Sequence, residues 1–141
     1  MNTEIIIPSD LRARVKVLIV EDNLLNQKLD SFIFSNWGLQ HEICSNGQLA
    51  VNRLLAGNTY DVILMDIQMP VLNGFEATKV IREELKLEVP IIGITAHASE
   101  IEREKCIRIG MNHYITKPVN EEELFSLLMG CLAGSESLKT A

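Results

Sequence analysis

The sequence predicts a single α/β domain built on a doubly wound parallel sheet, with helices on both faces. Three observations predict it. Strand-like and helix-like patterns alternate from residue 15 to about residue 132, in about five units, the rhythm of such sheets. The run Tyr60-Asp61-Val62-Ile63-Leu64-Met65 is too continuously apolar for a sheet with one wet face and reads as a strand buried on both. Four of the strand patterns also end in polar or charged residues, at the edge where open α/β sheets bind ligands. A chain of 141 residues, 47% apolar, can fill one core and is too short for two.

The first strand, Val15-Lys16-Val17-Leu18-Ile19-Val20, runs into Glu21-Asp22. Leu24, Leu25, Leu29, Phe32 and Ile33 then recur at helical spacing, and Trp37-Gly38 supplies a glycine stop. A short strand over Gln40 to Cys44 comes next. Ser45 and Gln48 have the spacing of a capping box ahead of Leu49, Val51, Leu54 and Leu55, and Gly57-Asn58 ends that helix. The third strand ends in Asp66. The loop Met69-Pro70-Val71-Leu72-Asn73-Gly74 leads to a helix carrying Phe75, Ala77, Val80, Ile81 and Leu85. The fourth strand, Pro90-Ile91-Ile92-Gly93-Ile94-Thr95, ends in a hydroxyl. Ser99 and Glu102 give a second capping-box spacing before Ile101, Cys106 and Ile107, with Gly110 as the stop. The fifth strand, Met111-Asn112-His113-Tyr114-Ile115-Thr116, runs into Lys117-Pro118. The last helix starts at Asn120 and carries Glu121, Glu122 and Glu123 in its first turn, where the helix dipole favours anions. Its buried stripe is Leu124, Leu127, Leu128 and Cys131. Residues 1–13 lack periodicity and read as a lead-in or linker, 14–132 as the domain, and 133–141 as a flexible tail.

A net charge of −6 argues against a nucleic-acid surface, which requires clustered Lys and Arg. No apolar stretch approaches the roughly 20 residues of a membrane span, and Pro8 stops Ile5-Ile6-Ile7 short of a signal peptide. No membrane contact is expected of this domain. Cys44, Cys106 and Cys131 show no metal-binding or redox spacing and read as buried thiols in a reducing, cytoplasmic setting.

An acid pair, a lone acid, a hydroxyl and a lysine, each at a strand end, suit a hard cation beside a phosphoryl group. Mg²⁺ takes oxygen ligands and keeps several waters, so one or two carboxylates and a phosphate suffice. Glu21, Asp22 and Asp66 supply the carboxylates if their strands are neighbours, and a right-handed crossover lets the third strand lie beside the first. Crowded acids repel unless a cation neutralises them, and that cost to folding is itself a hint of function. Asp66 is then a candidate nucleophile towards a phosphoryl donor, in a reaction that needs in-line positioning and charge neutralisation. A metal covers one phosphoryl oxygen, the Lys117 ammonium a second and the Thr95 hydroxyl the third. Pro118 points to a constrained peptide after Lys117, with the cis form open to it. Each piece has a plainer reading, since an Asp after a strand commonly forms a turn and Glu21-Asp22-Asn23 suits a helix cap. Their joint order and placement carry the argument.

Val17-Leu18-Ile19-Val20-Glu21-Asp22-Asn23, Leu64-Met65-Asp66-Ile67-Gln68-Met69-Pro70, Ile94-Thr95-Ala96 and Tyr114-Ile115-Thr116-Lys117-Pro118 resemble the receiver domains of two-component response regulators, from about Arg14 to Leu132. The resemblance implies a flavodoxin-like fold with strand order 2-1-3-4-5. It implies that Asp66 accepts a phosphoryl group from the phosphohistidine of a sensor histidine kinase or a histidine phosphotransfer domain. Mg²⁺ would be held by Glu21, Asp22, Asp66 and the backbone carbonyl of Gln68, and Thr95 and Lys117 would bind the phosphoryl group. Tyr114 would be the switch aromatic that turns inward when Thr95 moves, reshaping the surface of the last two helices and the last strand. Asn26, Met65-Asp66-Ile67-Gln68-Met69-Pro70 and Thr95-Ala96-His97-Ala98 look most like the receivers of hybrid sensor kinases. No output domain follows residue 132, and the ends at 1–13 and 134–141 fit an excised piece somewhat better than a stand-alone receiver.

Three rivals stand beside this reading. A haloacid-dehalogenase-type phosphatase needs a second acid two residues past its nucleophile, where this chain has Gln68. A flavin-binding module wants a Gly-, Ser- and Thr-rich phosphate loop, where this chain has Glu21-Asp22-Asn23-Leu24. A degenerate receiver would work as a phosphorylation-independent docking module, against which the intact site residues argue. Within the receiver reading, Gln68 and His97 sit two residues past Asp66 and Thr95, where the family tunes water access to the acyl phosphate. Substituting both is expected to change the hydrolysis rate of the phosphorylated form, followed by the decay of phosphoprotein mass; an unchanged rate contradicts the assignment.

Overall fold

The structure is a computed structural model that describes residues 7–97 and 99–133. Strands β1 (Lys16–Val20), β2 (Gln40–Cys44), β3 (Val62–Asp66), β4 (Ile91–Thr95) and β5 (His113–Thr116) form one sheet in the order β2-β1-β3-β4-β5. Every pairing in it is parallel. Six helices accompany them among the described residues: α1 (Ser9–Arg14), α2 (Leu24–Trp37), α3 (Gly47–Leu55), α4 (Gly74–Lys79), α5 (Glu100–Ile109) and α6 (Glu121–Ala133). A single π-helical turn, Val80–Glu84, prolongs α4.

Successive side chains of a strand point to opposite faces, and both faces of this sheet are covered. Val17, Ile19, Val62, Leu64, Ile92, Ile94 and Ile115 meet Phe34 and Trp37 of α2 and Leu124, Leu128 and Cys131 of α6. On the other face, Leu18, Val20, Ile63, Met65 and Ile91 meet Val51 and Leu54 of α3, Ala77 of α4, Ile81 and Cys106. That is why β3 and β4 are buried at every position and why their sequences do not alternate.

Several local expectations shift. The aperiodic lead-in runs into α1, six residues long and too short for a repeat to show, whose Leu11 packs against the core along with Ile7 just before it. The α3 cap is Asn46, whose side chain accepts the Leu49 amide at 2.9 Å. Ser45 is one residue too early, and Gln48 bonds to Asn52 along the helix instead of closing a box. Ser99 does cap α5, accepting the Glu102 amide at 3.1 Å, but the Glu102 carboxylate is engaged elsewhere. Of the helical apolar residues, Leu24, Leu25, Leu29 and Phe32 are 53–72% exposed and Ile33 is half-buried against the core; the buried residues of α2 are Asp30, Phe34 and Trp37. Ile101 and Ile107 of α5 are likewise exposed, with Cys106 alone buried there. The glycine stops behave as expected, with Gly38 and Gly110 at φ 74° and 109°, a conformation that favours glycine. Of the C-terminal tail expected over 133–141, residues 134–141 lie outside the described residues, as do 1–6 of the lead-in.

The loop after β3 is tied down tightly. Leu72 N–H donates to the Pro70 carbonyl at 2.8 Å across Val71, whose φ is 70°, a strained three-residue turn for a β-branched residue. Gly47 N–H then grips the Leu72 carbonyl at 3.1 Å. At the far end of the loop, a Cβ on Gly74 would lie 2.4 Å from the Asp66 carbonyl oxygen and 2.8 Å from Ile67 Cα. Backbone cannot yield as a flexible side chain can, so Gly74→Ala is expected to destabilise the fold by about 1–3 kcal/mol, read from the denaturant midpoint. An unchanged midpoint would show that the loop relaxes freely.

Candidate functional site

The topology brings the strand-end residues to one edge. Val20 pairs with Met65 across β1 and β3, so Glu21, Asp22 and Asp66 emerge side by side. Thr95 pairs with Thr116 across β4 and β5, which puts Lys117 at the same edge. One carboxylate oxygen each from Glu21, Asp22 and Asp66 lie within 4.8 Å of one another, the first and last buried and Asp22 exposed. Lys117 Nζ lies 3.2 Å from Asp66 Oδ2 and 3.4 Å from Glu21 Oε1. The Lys117–Pro118 peptide is cis.

The acid loop is held in place locally. Asn23 caps α2 by accepting the Asn26 amide at 3.0 Å, and its own N–H donates to Glu21 Oε2 at 3.0 Å. The Gln27 side-chain amide donates to the Glu21 carbonyl at 2.7 Å. Asp66 Oδ1, by contrast, is buried with no hydrogen-bond partner among the described residues. A buried carboxylate oxygen left unpaired is costly. A cation among the three carboxylates would supply the missing partner, and an all-oxygen donor set of this kind suits a hard divalent ion.

The electrostatics agree with the geometry. Burial, then the Glu21 charge, push the Asp66 carboxyl up to about 7, with Lys117 opposing. Burial lowers the Lys117 pKa, but the charges of Asp66 and Glu21 outweigh it and the net shift is upward. A further acid joins this field unannounced by the strand-end pattern. Asp30 of α2 is 8% exposed, and burial followed by the Glu21 charge raises its carboxyl to about 7. The available sign was its helical spacing with Phe34 and Trp37, which marks the face turned to the sheet.

The Thr95 side chain is fully buried and sits in a small network. It accepts from Gln68 Nε2 at 3.0 Å and from His97 N–H at 3.1 Å, and it donates to the Glu102 carboxylate. Tyr114 is half-buried, its hydroxyl donating to the His97 carbonyl at 2.5 Å. Beside the acid cluster, a cavity of about 550 Å³ is lined by Asn26, Leu29, Phe32, Lys117, Pro118 and Val119, among others.

Residues 17–129 match the response regulator receiver domain family, and the chain belongs to that family. It is 34% identical over 122 residues to two-component response regulator 24 of Arabidopsis thaliana, covering 86% of this chain and 87% of that protein. It is 41% identical over 120 residues to hybrid signal transduction histidine kinase I of Dictyostelium discoideum, covering 80% of this chain but 7% of that protein. The receiver domain of sensor histidine kinase PA1611 from Pseudomonas aeruginosa, solved with a magnesium ion coordinated in its active site cleft, superposes with a TM-score of 0.76. It is 38% identical, over 85% of this chain and 98% of that one. The receiver domain of the Saccharomyces cerevisiae response regulator Ssk1, solved in complex with the histidine phosphotransfer protein Ypd1, gives a TM-score of 0.74. Its identity is 35%, over 81% of this chain and 86% of that one.

The raised carboxyls set a pH dependence for the metal-free protein. An Asp whose folded pKa lies above its unfolded value binds its proton more tightly when folded, so its ionisation costs stability as pH rises. The cost is absent below the unfolded value near 3.8 and is complete above about 7, for Asp66 and Asp30 alike. Without divalent ions, thermal stability is therefore expected to fall across that window. Asp66→Asn should lessen the fall, leaving the share of Asp30, and gain on the order of 1–2 kcal/mol at its alkaline end, after allowance for screening. A variant no more stable than wild type there contradicts the reading.

Proposed function

We propose that this receiver takes a phosphoryl group from a phosphohistidine onto Asp66 and works as a signalling switch, without turning over an external substrate. The observation that carries the proposal is the buried Asp66 Oδ1, without a hydrogen-bond partner among the described residues, inside a carboxylate trio faced by Lys117. The carboxylate attacks phosphorus in line, a P–O bond forms as the P–N bond breaks, and the electron pair leaves with the imidazole, which takes up a proton. Glu21, Asp22 and Asp66, with the Gln68 main-chain carbonyl, would hold Mg²⁺. Bound there, the ion would supply the positive charge that offsets these acids and the incoming phosphoryl oxygens. Lys117 adds a fixed cation on the side of Asp66 Oδ2, and Thr95 offers a hydroxyl at the neighbouring strand end. Tyr114, now tied to the His97 carbonyl, would move inward as Thr95 shifts.

The donor is a sensor histidine kinase or a histidine phosphotransfer domain, in the cytoplasm. Leu24, Leu25, Leu29 and Phe32 stand exposed beside the site, and a contiguous apolar face of this kind marks a contact surface. We place the partner's approach there. Among the described residues, no helix is long and apolar enough to cross a membrane.

The test is intact mass after incubation with Mg²⁺ and a small acyl-phosphate or phosphoramidate donor. One added phosphoryl group is expected, lost on omitting Mg²⁺ and in Asp66→Asn, and cut by at least about tenfold in Lys117→Ala, as removal of one positioned charge predicts. No addition to the wild type contradicts the proposal. Sustained release of phosphate from simple phosphomonoesters would favour the phosphatase reading instead.

A further inference from the structure

The Thr95 hydroxyl is saturated. A hydroxyl offers one proton and two acceptor lone pairs. Here both acceptor directions are used, by Gln68 Nε2 and His97 N–H, and the single proton is donated to the Glu102 carboxylate. Thr95 is fully buried, so no solvent water stands ready to replace a lost partner. A phosphoryl oxygen on Asp66 is an acceptor at neutral pH, and it can engage Thr95 only by accepting the hydrogen bond that Thr95 now donates to Glu102.

We propose that Glu102 is a positioning residue that competes with the phosphoryl group for the Thr95 hydroxyl and holds the domain in its unphosphorylated state. The proposal rests on the reading of Asp66 as phosphoacceptor. Phosphorylation transfers no proton here; the Thr95 O–H turns from one anion to the other. The exchange has a structural consequence at α5. Ser99 already accepts the Glu102 amide, the first half of a capping box. The second half, the Glu102 carboxylate reaching back to the Ser99 N–H, requires the side chain that Thr95 occupies. Release of Glu102 lets the box close and tightens the start of α5, which carries the charge event at Asp66 into the helical surface. The chain order Thr95, Ser99, Glu102 thus links one hydroxyl to one helix cap.

Beryllofluoride with Mg²⁺ serves as the probe, a stable stand-in for the phosphoryl group on Asp66, with affinity read by ¹⁹F NMR. Glu102→Gln keeps the side chain's shape and removes its charge. It is expected to bind beryllofluoride about 3–10-fold more tightly, the size of a charge-assisted hydrogen bond reduced to a neutral one. Glu102→Ala should move the same way, with thermal melting confirming that both fold. In a Thr95→Ala background the gain should vanish, because Glu102 acts only through that hydroxyl; a general change in helix stability would persist. Unchanged or weaker binding by Glu102→Gln, or an equal gain without Thr95, overturns the proposal while leaving the phosphoacceptor reading intact. Failure of the wild type to bind beryllofluoride would overturn that reading and this proposal with it.

Discussion

Like charges held together out of water are the constraint on which the rest of the structure depends. Glu21 and Asp66 are 4% and 2% exposed because their strands are adjacent in the middle of a sheet covered on both faces. A fold could remove this repulsion by a single substitution, and this one instead builds around it. Asn23 and Gln27 hold the Glu21 segment in place, Lys117 arrives from β5, and one oxygen of Asp66 stays open. Paired charges leave an acid near its usual range or lower it, whereas Asp66 is pushed up to about 7. Burial is the first cause and the Glu21 charge the second, and Lys117 does not offset the two. The site is electrostatically incomplete in a way that a hard cation would complete.

The second constraint is hydrogen-bond arithmetic at Thr95. Local charge events become signals only when they bias an element with two arrangements, and moving such an element from about 1:99 to 99:1 takes ~5.5 kcal/mol. No single contact supplies that. Thr95, Gln68 and Glu102 form one connected network, and Tyr114 meets it at the His97 backbone. In the proposed switch, this connection would let several modest contributions act together on the α5–β5 surface.

Much of this was legible in the chain because it depends on strong, local signals. Continuous Val and Ile runs mark two-sided burial, and Asp66, Thr95 and Lys117 fall where such strands end. Glycine at 38 and 110 and asparagine at 23 and 120 punctuate helices by their own conformational chemistry. What stayed hidden depends on tertiary choice. Leu24, Leu25, Leu29 and Phe32 form a helical stripe as plausible as Asp30, Phe34 and Trp37, and only packing against the sheet decides between them. Six residues of α1 are too few for periodicity. Asn46 displaced Ser45 as a cap because neighbouring capping residues compete on geometry. Glu102 had the spacing of a capping box, and nothing local showed that a buried hydroxyl seven residues earlier would claim its carboxylate.

The most direct test of the central claim, that buried acids await a cation, is calorimetric titration of Mg²⁺ in two buffers of different ionisation enthalpy near pH 7. A metal binds the deprotonated carboxylate and displaces its proton. With the Asp66 carboxyl raised to about 7, binding should release a fraction of a proton per ion, and the release should shrink in Asp66→Asn to the share left by Asp30, which the same Glu21 charge raises. Binding without proton release, or no binding at all, would contradict the account.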